Sequence, residues 1–347
     1  MRFGERIVGP GAPPLIVAEL SGNHNGSLER ALTIVDAAAA AGADAVKLQT
    51  YTADTMTLDA DGPDFTIDDP SSLWHGRRLY DLYGEAATPW EWHPALFARA
   101  RERGIACFSS PFDESAIAYL ERFDPPAYKI ASFELTDLPL IAAAARTGRP
   151  LVVSTGMATA EEIERAVRTA REHGAPDVLL LKCTSTYPAS PENSHLRTIP
   201  DLRARFGCEV GLSDHTGGIG AAVASVALGA VAIEKHVTLA RADGGVDAAF
   251  SLEPHELASL VLETRRAWDA LGEVRYGPTR AERGSLRFRR SLYVAADVRA
   301  GDELTAANVR IVRPGFGLPP SAYAEVVGRR AARDLARGTA LAWEHIA

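Results

Sequence analysis

The sequence predicts a (β/α)8 TIM barrel over residues 1–272, followed by a small β-rich module. Three observations carry this reading. Eight short apolar runs alternate with eight longer stretches rich in Ala, Leu, Arg and Glu. The runs are almost continuously apolar, as strands of a parallel sheet buried on both faces must be. Glycines such as Gly42, Gly104, Gly148, Gly174, Gly207, Gly229 and Gly272 close the helical stretches, where left-handed caps form. Eight strand–helix pairs are the number that closes a barrel, and such barrels take roughly 250 residues. An open doubly wound sheet is the rival, but no Gly-rich dinucleotide fingerprint follows the first run.

In order, the strands are expected at 15–20, 45–50, 106–111, 127–132, 151–155, 178–184, 209–214 and 232–237. The helices are expected at 28–41, 94–103, 114–122, 138–146, 160–173, 198–205, 219–228 and 253–271. The strand runs are short and β-rich, and the helical stretches between them are rich in Ala, Leu, Arg and Glu. One connection is anomalous. Residues 51–89, between the second strand and its helix, include Trp74-His75-Gly76 and Leu79-Tyr-Asp-Leu-Tyr83. Long inserts on the catalytic face of a barrel commonly cover the substrate. Residues 273–290 are rich in Arg and Gly without a period and read as a linker, and residues 291–347 form the small module. That module is too small for a large core of its own and is expected to lean on the barrel or on a second subunit.

Hydrophobic residues make up 46% and charged residues 24%, the balance of a water-soluble globular protein. No apolar run approaches the ~20 residues of a membrane span. The first ten residues carry charge where a signal peptide would be apolar, so a cytoplasmic location is expected. The net charge of −8 argues against a nucleic-acid or membrane surface. Cys107, Cys183 and Cys208 have no metal-type spacing and read as reduced, buried thiols.

Of 37 basic residues only four are lysine: Lys47, Lys129, Lys182 and Lys235. All four sit inside apolar strand runs, where a lysine is not an incidental surface cation. In a barrel, the carboxyl ends of the strands converge on one pocket. Those positions hold Glu19, Asn23-His24-Asn25, Lys47, Gln49, Ser109, Ser110, Lys129, Ser132, Ser154 and Thr155. The second half adds Thr184, Ser185, Ser213, Asp214, His215, Glu234 and His236. Two ammoniums within a ring of hydroxyls make a site for a phosphate or a phosphorylated carboxylate. His215 and His236 end adjacent strands, close enough to share a divalent ion with water completing its shell; an ordinary hydrogen-bonding pair is the competing reading. Lys235 falls on the face opposite His236 and is expected in a structural ion pair.

These stretches resemble the sialic acid synthase family of nonulosonate synthases. The resemblance rests on Ile16-Val-Ala-Glu-Leu-Ser-Gly-Asn-His-Asn25, Gly42-Ala-Asp-Ala-Val-Lys-Leu-Gln-Thr50, Ser110-Pro-Phe112 and Tyr128-Lys-Ile-Ala-Ser132. It continues through Ser154-Thr-Gly156, Lys182-Cys-Thr-Ser-Thr-Tyr-Pro188, Gly211-Leu-Ser-Asp-His-Thr216 and Glu234-Lys-His236. The C-terminal module resembles the family's SAF, or antifreeze-like, domain, marked by Arg313-Pro-Gly315. Residues 83–92 and Asp243-Gly-Gly-Val-Asp-Ala-Ala-Phe-Ser-Leu-Glu-Pro254 point to the pseudaminic branch.

The resemblance implies a metal-dependent condensation of phosphoenolpyruvate with an acetamido sugar, in that branch 2,4-diacetamido-2,4,6-trideoxy-altrose. It implies Lys47, Lys129, Ser110, Ser132, Ser154 and Ser213 on the phosphate and carboxylate, with Ser185 nearby. Glu19 would handle the proton of the attacking water, and Gln49, Tyr187 and Asp247 would contact the sugar. His215 and His236 would hold the metal, Mn²⁺ foremost, with Mg²⁺ or Co²⁺ as alternatives. Phe288 and Arg313 would reach over the site of a partner in a domain-swapped homodimer. The alternatives are an N-acetylneuraminate or legionaminate synthase, a class I aldolase using Lys182 as Schiff base, and a non-catalytic carbohydrate- or ice-binding protein.

Overall fold

A computed structural model describes residues 1–347. The chain divides into two compact units, Met1–Gly272 and Glu273–Ala347. The first opens on a hairpin that sequence reading assigned to no element, β1 Arg2–Phe3 with β2 Arg6–Ile7. It continues as a closed barrel of eight parallel strands: β3 Leu15–Glu19, β4 Ala45–Thr50, β5 Ala106–Pro111, β6 Tyr128–Ile130, β7 Leu151–Ser154, β8 Val178–Cys183, β9 Glu209–Asp214 and β10 Ala232–His236. Neighbours pair in chain order, and β10 closes on β3 with Ala232 beside Leu15 and His236 beside Glu19.

The shell is made by α1 Leu28–Ala40, α4 His93–Glu102, α5 Glu114–Leu120, α6 Leu138–Arg146, α7 Ala160–Glu172, α8 Thr198–Phe206, α9 Gly220–Ala227 and α10 Pro254–Leu271. Two short helices, α2 Ala53–Met56 and α3 Leu79–Ala86, lie in the long insert. Ser27, Asp113, Asp137 and Thr159 each accept first-turn N–H groups through their side chains, which satisfies donors the helix leaves orphaned. The expected barrel is borne out, with element ends moving by a residue or two. β6 is shorter than expected because its last turn-forming residues leave the ladder before Ser132.

Strand parity explains the packing. One set of strand residues, among them Ile16, Ala18, Val46, Leu48, Ile130, Val153, Leu180 and Ile233, meets the helices in the main core. The alternate set, Leu15, Val17, Ala45, Phe108, Val152, Leu179, Leu181 and Ala232, fills the barrel's lower interior. Gly211 belongs to that layer by necessity, since a Cβ there would stand 2.4 Å from the Ala232 carbonyl oxygen. The β1–β2 hairpin plugs the amino end. Its Phe3 is buried, with its ring 5.2 Å from that of Phe108 in an edge-to-face arrangement. The barrel interior is therefore filled with side chains at its amino end.

The second unit pairs β11 Ser291–Val294 antiparallel to β12 Val309–Val312, with isolated bridges and one short helix, α11 Tyr323–Val326. It has its own apolar core around Leu292, Val294, Leu304, Val309, Val326 and Leu341. No helix of the chain is long and apolar enough to cross a membrane.

Candidate active site

Continuing each inward-facing strand row upward changes the chemistry from apolar to charged. Leu15 and Val17 lead to Glu19, Ala45 to Lys47 and Gln49, Leu179 and Leu181 to Cys183, and Ala232 to Glu234 and His236. The upper members of these rows, Lys47, Gln49, Cys183, Glu234 and His236, help line a cavity of about 350 Å³ at the carboxyl end of the barrel. Of the expected site residues, it brings together Lys47, Gln49, Lys129, Ser132, Ser154, Ser185, Tyr187, Ser213, His215, His236 and Asp247. Glu19 and Ser110 lie beneath, joined to it through Lys47.

The floor is a compact charge network. Lys47 Nζ stands 2.6 Å from Glu19 Oε2 and 3.8 Å from Glu234 Oε1, and it donates to Ser110 Oγ at 3.2 Å. Lys129 Nζ is 3.7 Å from the same Glu234 oxygen, which also accepts from Ser213 Oγ at 3.2 Å. Glu19 Oε1 accepts from the Ser21 N–H at 3.0 Å and from Gln49 Nε2 at 3.1 Å. Complete burial pushes the Glu19 carboxyl above the usual range; Lys47 opposes this and the like charge of Glu234 adds to it. Burial alone would also raise Glu234, but the ammoniums of Lys129 and Lys47 outweigh it and hold Glu234 low. Burial depresses Lys129, only partly offset by Glu234, whereas the two carboxylates around Lys47 overcome its burial.

Part of this polar layer is unsatisfied. Ser154 Oγ and Glu234 Oε2 are buried without a hydrogen-bond partner, an arrangement that a bound ligand would relieve. Ser132 and Ser185 converge on Gly156, whose absent Cβ would lie 2.7 and 2.1 Å from their hydroxyl oxygens. The Gly156 N–H donates to Ser132 Oγ at 3.1 Å. A glycine at 156 is what lets the two hydroxyls share one wall.

His215 and His236 face each other with ring centroids 5.2 Å apart. The Nδ1 of His215 is tied to the Thr184 carbonyl at 3.0 Å, and that of His236 lies 3.3 Å from Ser21 Oγ and 3.6 Å from Asp247 Oδ2. Neither Nε2 is used, so both are available to an ion. No cluster of three or more His, Cys, Asp or Glu side chains is arranged to hold a metal by itself, so an ion on these two histidines would need further ligands from outside the chain.

Sequence reading placed some residues wrongly or missed them. Asp214 and Ser109, counted with the ring, are on the outer face. Asp214 pairs with Lys235 at 2.9 Å, the structural ion pair expected of that lysine, and Ser109 bonds Thr50 at 2.7 Å. Lys182 also lies off the cavity, donating to the Cys183 carbonyl at 2.8 Å and to Thr184 Oγ1 at 3.1 Å. Cys183, taken for an inert buried thiol, lines the cavity 3.8 Å from His215 Nδ1. Burial would raise its thiol, but His215, Ser132 and Lys129 together bring it down to about 7. Its parity with Leu181 was the available signal. Glu134 also lines the cavity; burial raises its carboxyl to about 7, and its Oε2 has no partner. Nothing in its local sequence marks it. In the second unit, Phe288 is 55% exposed beneath the Arg287 guanidinium, and Arg313 is exposed.

Residues 34–276 match the model of the NeuB family, and residues 289–347 match that of the SAF domain. The chain is 46% identical to a pseudaminic acid synthase of Campylobacter jejuni, over 94% of each protein. It is 42% identical to a pseudaminic acid synthase of Helicobacter pylori, over 96% of this chain and 98% of that one. Among solved structures it resembles an N-acetylneuraminic acid synthetase of Leptospira borgpetersenii, with TM-score 0.73 and 32% identity, covering 83% of this chain and 95% of that one. Legionaminic acid synthases, such as that of Legionella pneumophila at 34% identity over 95% of this chain and 94% of that protein, are more distant. A family model that spans most of the barrel, and relatives that run the length of both units, make this chain a member of the NeuB family with a C-terminal SAF domain.

Proposed function

We propose that this enzyme condenses phosphoenolpyruvate with 2,4-diacetamido-2,4,6-trideoxy-altrose, giving pseudaminic acid and inorganic phosphate. The observation that carries the reading is the juxtaposition of a two-lysine, serine-lined anion floor with two histidines whose Nε2 atoms are free. Higher identity to the pseudaminic acid synthases, 46% and 42%, than to a legionaminic acid synthase, 34%, supports the pseudaminic product.

In the proposed reaction, C3 of the enol adds to the open-chain aldehyde, water adds at C2, and phosphate leaves with cleavage of its C–O bond. Lys47, Lys129, Ser132, Ser154 and Ser213 hold the phosphate and carboxylate, with Ser110 positioning Lys47 and Ser185 closing the wall. Glu19, raised by burial and touching Lys47, takes the proton of the attacking water. The same carboxylate offsets positive charge developing at C2. Gln49, Tyr187 and Asp247 orient the sugar. His215 and His236 would hold a divalent ion, Mn²⁺ with Mg²⁺ or Co²⁺ as alternatives, and such an ion would supply Lewis-acid polarisation of the sugar aldehyde. Phe288 and Arg313 complete the sugar side of a partner's site in a domain-swapped homodimer, and the reaction is assigned to the cytoplasm. A Schiff-base aldolase would need a lysine in the cavity on β8, and Lys182 lies on the other face.

The test is phosphate release from phosphoenolpyruvate across a panel of acetamido sugars. Release with the diacetamido-trideoxy-altrose and little with N-acetylmannosamine is expected. Equal turnover of N-acetylmannosamine would move the enzyme to the neuraminate branch, and a borohydride-trapped pyruvate adduct would overturn the reaction class.

A further inference from the structure

Above its charged floor the cavity changes character. Part of its wall comes from the insert after β4, through Tyr51, Met56, Ile67, Leu79, Leu82 and Tyr83. This segment is fixed. The Trp74 indole N–H donates to the Val246 carbonyl, beyond β10, at 2.9 Å, and its ring lies 5.8 Å from that of Tyr187, beyond β8. Strand β8 stands across the barrel from β4, so the insert spans the mouth. Arg78 ties it internally to Asp59 at 2.6 Å and Asp61 at 3.3 Å. At Gly22 a Cβ would meet Val246 Cγ2 at 2.4 Å and Ala86 Cβ at 3.2 Å; the first loop, the insert and the last loop meet where no side chain fits.

The chemistry of this wall is unlike that of the floor. Met56, Ile67, Leu79 and Leu82 offer only carbon and sulfur, and the one polar group of Trp74 is already committed to Val246. The remaining polar groups are the phenols of Tyr51 and Tyr83, which make no hydrogen bond within the chain and stay protonated because burial raises both. An acyl group fits such a surface, its methyl on the aliphatic side chains and its carbonyl oxygen accepting from a phenol. A deoxy carbon fits too. A hydroxyl buried against the aliphatic residues would lose its water partners and gain none.

We infer that the 51–83 segment is the subsite for the distal end of the sugar, and that it selects a 6-deoxy, N-acylated substrate over a hydroxylated one. The inference rests on the proposed condensation. An apolar pocket discriminates against an added hydroxyl by about 100-fold in kcat/KM. The experiment compares 2,4-diacetamido-2,4,6-trideoxy-altrose with its 6-hydroxy counterpart, 2,4-diacetamido-2,4-dideoxy-altrose, by phosphate release in wild type, Ile67→Asn and Leu79→Asn. Wild type should prefer the deoxy sugar about 100-fold, and each variant, by giving the hydroxyl a partner, should bring the ratio to about 10 or below with the KM for phosphoenolpyruvate unchanged. Tyr83→Phe provides a variant that removes a single oxygen and should raise the KM of the deoxy sugar about tenfold.

A ratio unchanged in both Asn variants, or a Tyr83→Phe enzyme with wild-type KM, overturns the subsite. Wild-type turnover of both sugars without preference overturns the subsite and leaves the condensation standing. Phosphate release with neither sugar overturns the condensation and the subsite together.

Discussion

Replacing Glu19 by Gln keeps the shape of the side chain and sets hydrogen-bond polarity against charge. Glu19 Oε1 receives two donors, the Ser21 N–H and Gln49 Nε2, while Oε2 faces the Lys47 ammonium at 2.6 Å. In Glu19→Gln the amide oxygen must occupy the first position, because two N–H groups converge there. The amide NH₂ is then driven against the ammonium, donor to donor. Both groups are buried, so water cannot relieve the contact, and Lys47 is left with Glu234 at 3.8 Å. Removing one partner of a buried ion pair costs about 3–5 kcal/mol. In a domain of this size each kcal/mol shifts Tm by about 2–4 °C, so a fall of about 6–20 °C is expected. Turnover should fall further, by about 10²–10⁴, because the group that takes the water proton is gone. Lys129 and the serines remain, so phosphoenolpyruvate should still bind. Calorimetry reports Tm and phosphoenolpyruvate binding, and phosphate release with both substrates saturating reports kcat. A folded Glu19→Gln enzyme with near-wild-type kcat would refute the reasoning.

Three further outcomes are expected. Chelation should abolish phosphate release and Mn²⁺ should restore it; activity indifferent to chelators would return His215 and His236 to an ordinary hydrogen-bonding role. A chain ending at Gly272 should keep the barrel's circular dichroism, because its core is its own, and lose most sugar turnover with the second unit; full turnover would remove Phe288 and Arg313 from the site. The third concerns Glu134, whose carboxyl is raised from 4.5 to about 7 by burial. Between those values the folded protein holds a proton that the unfolded chain releases, so the stabilising contribution present below pH 4.5 is lost as pH rises through about 7. Tm measured against pH should therefore fall less steeply across this window in Glu134→Gln than in wild type, and identical slopes would show that the carboxyl does not titrate there.

The barrel was legible because its information is local and periodic. Eight apolar runs, Gly at the helix ends and capping residues such as Ser27 and Thr159 declare their elements without reference to the rest of the chain. The inward rows were legible too, since alternation along a strand puts Lys47 with Gln49 and Glu234 with His236 on one face. The four lysines stood out because Arg serves everywhere else. What stayed hidden has no period. Glu134 enters the cavity from a loop, and Cys183 differs from an inert thiol only by facing His215. The hairpin at Arg2–Ile7 is too short to announce itself and is held by Phe3 against Phe108. By itself, then, the sequence determined the barrel, its polar mouth and the identity of the groups converging there, because strand and helix periods act over a few residues. The tertiary structure alone decided which groups pair with Lys47, which buried atoms are left without partners, and where the insert lies across the mouth, because those contacts join residues far apart in the chain.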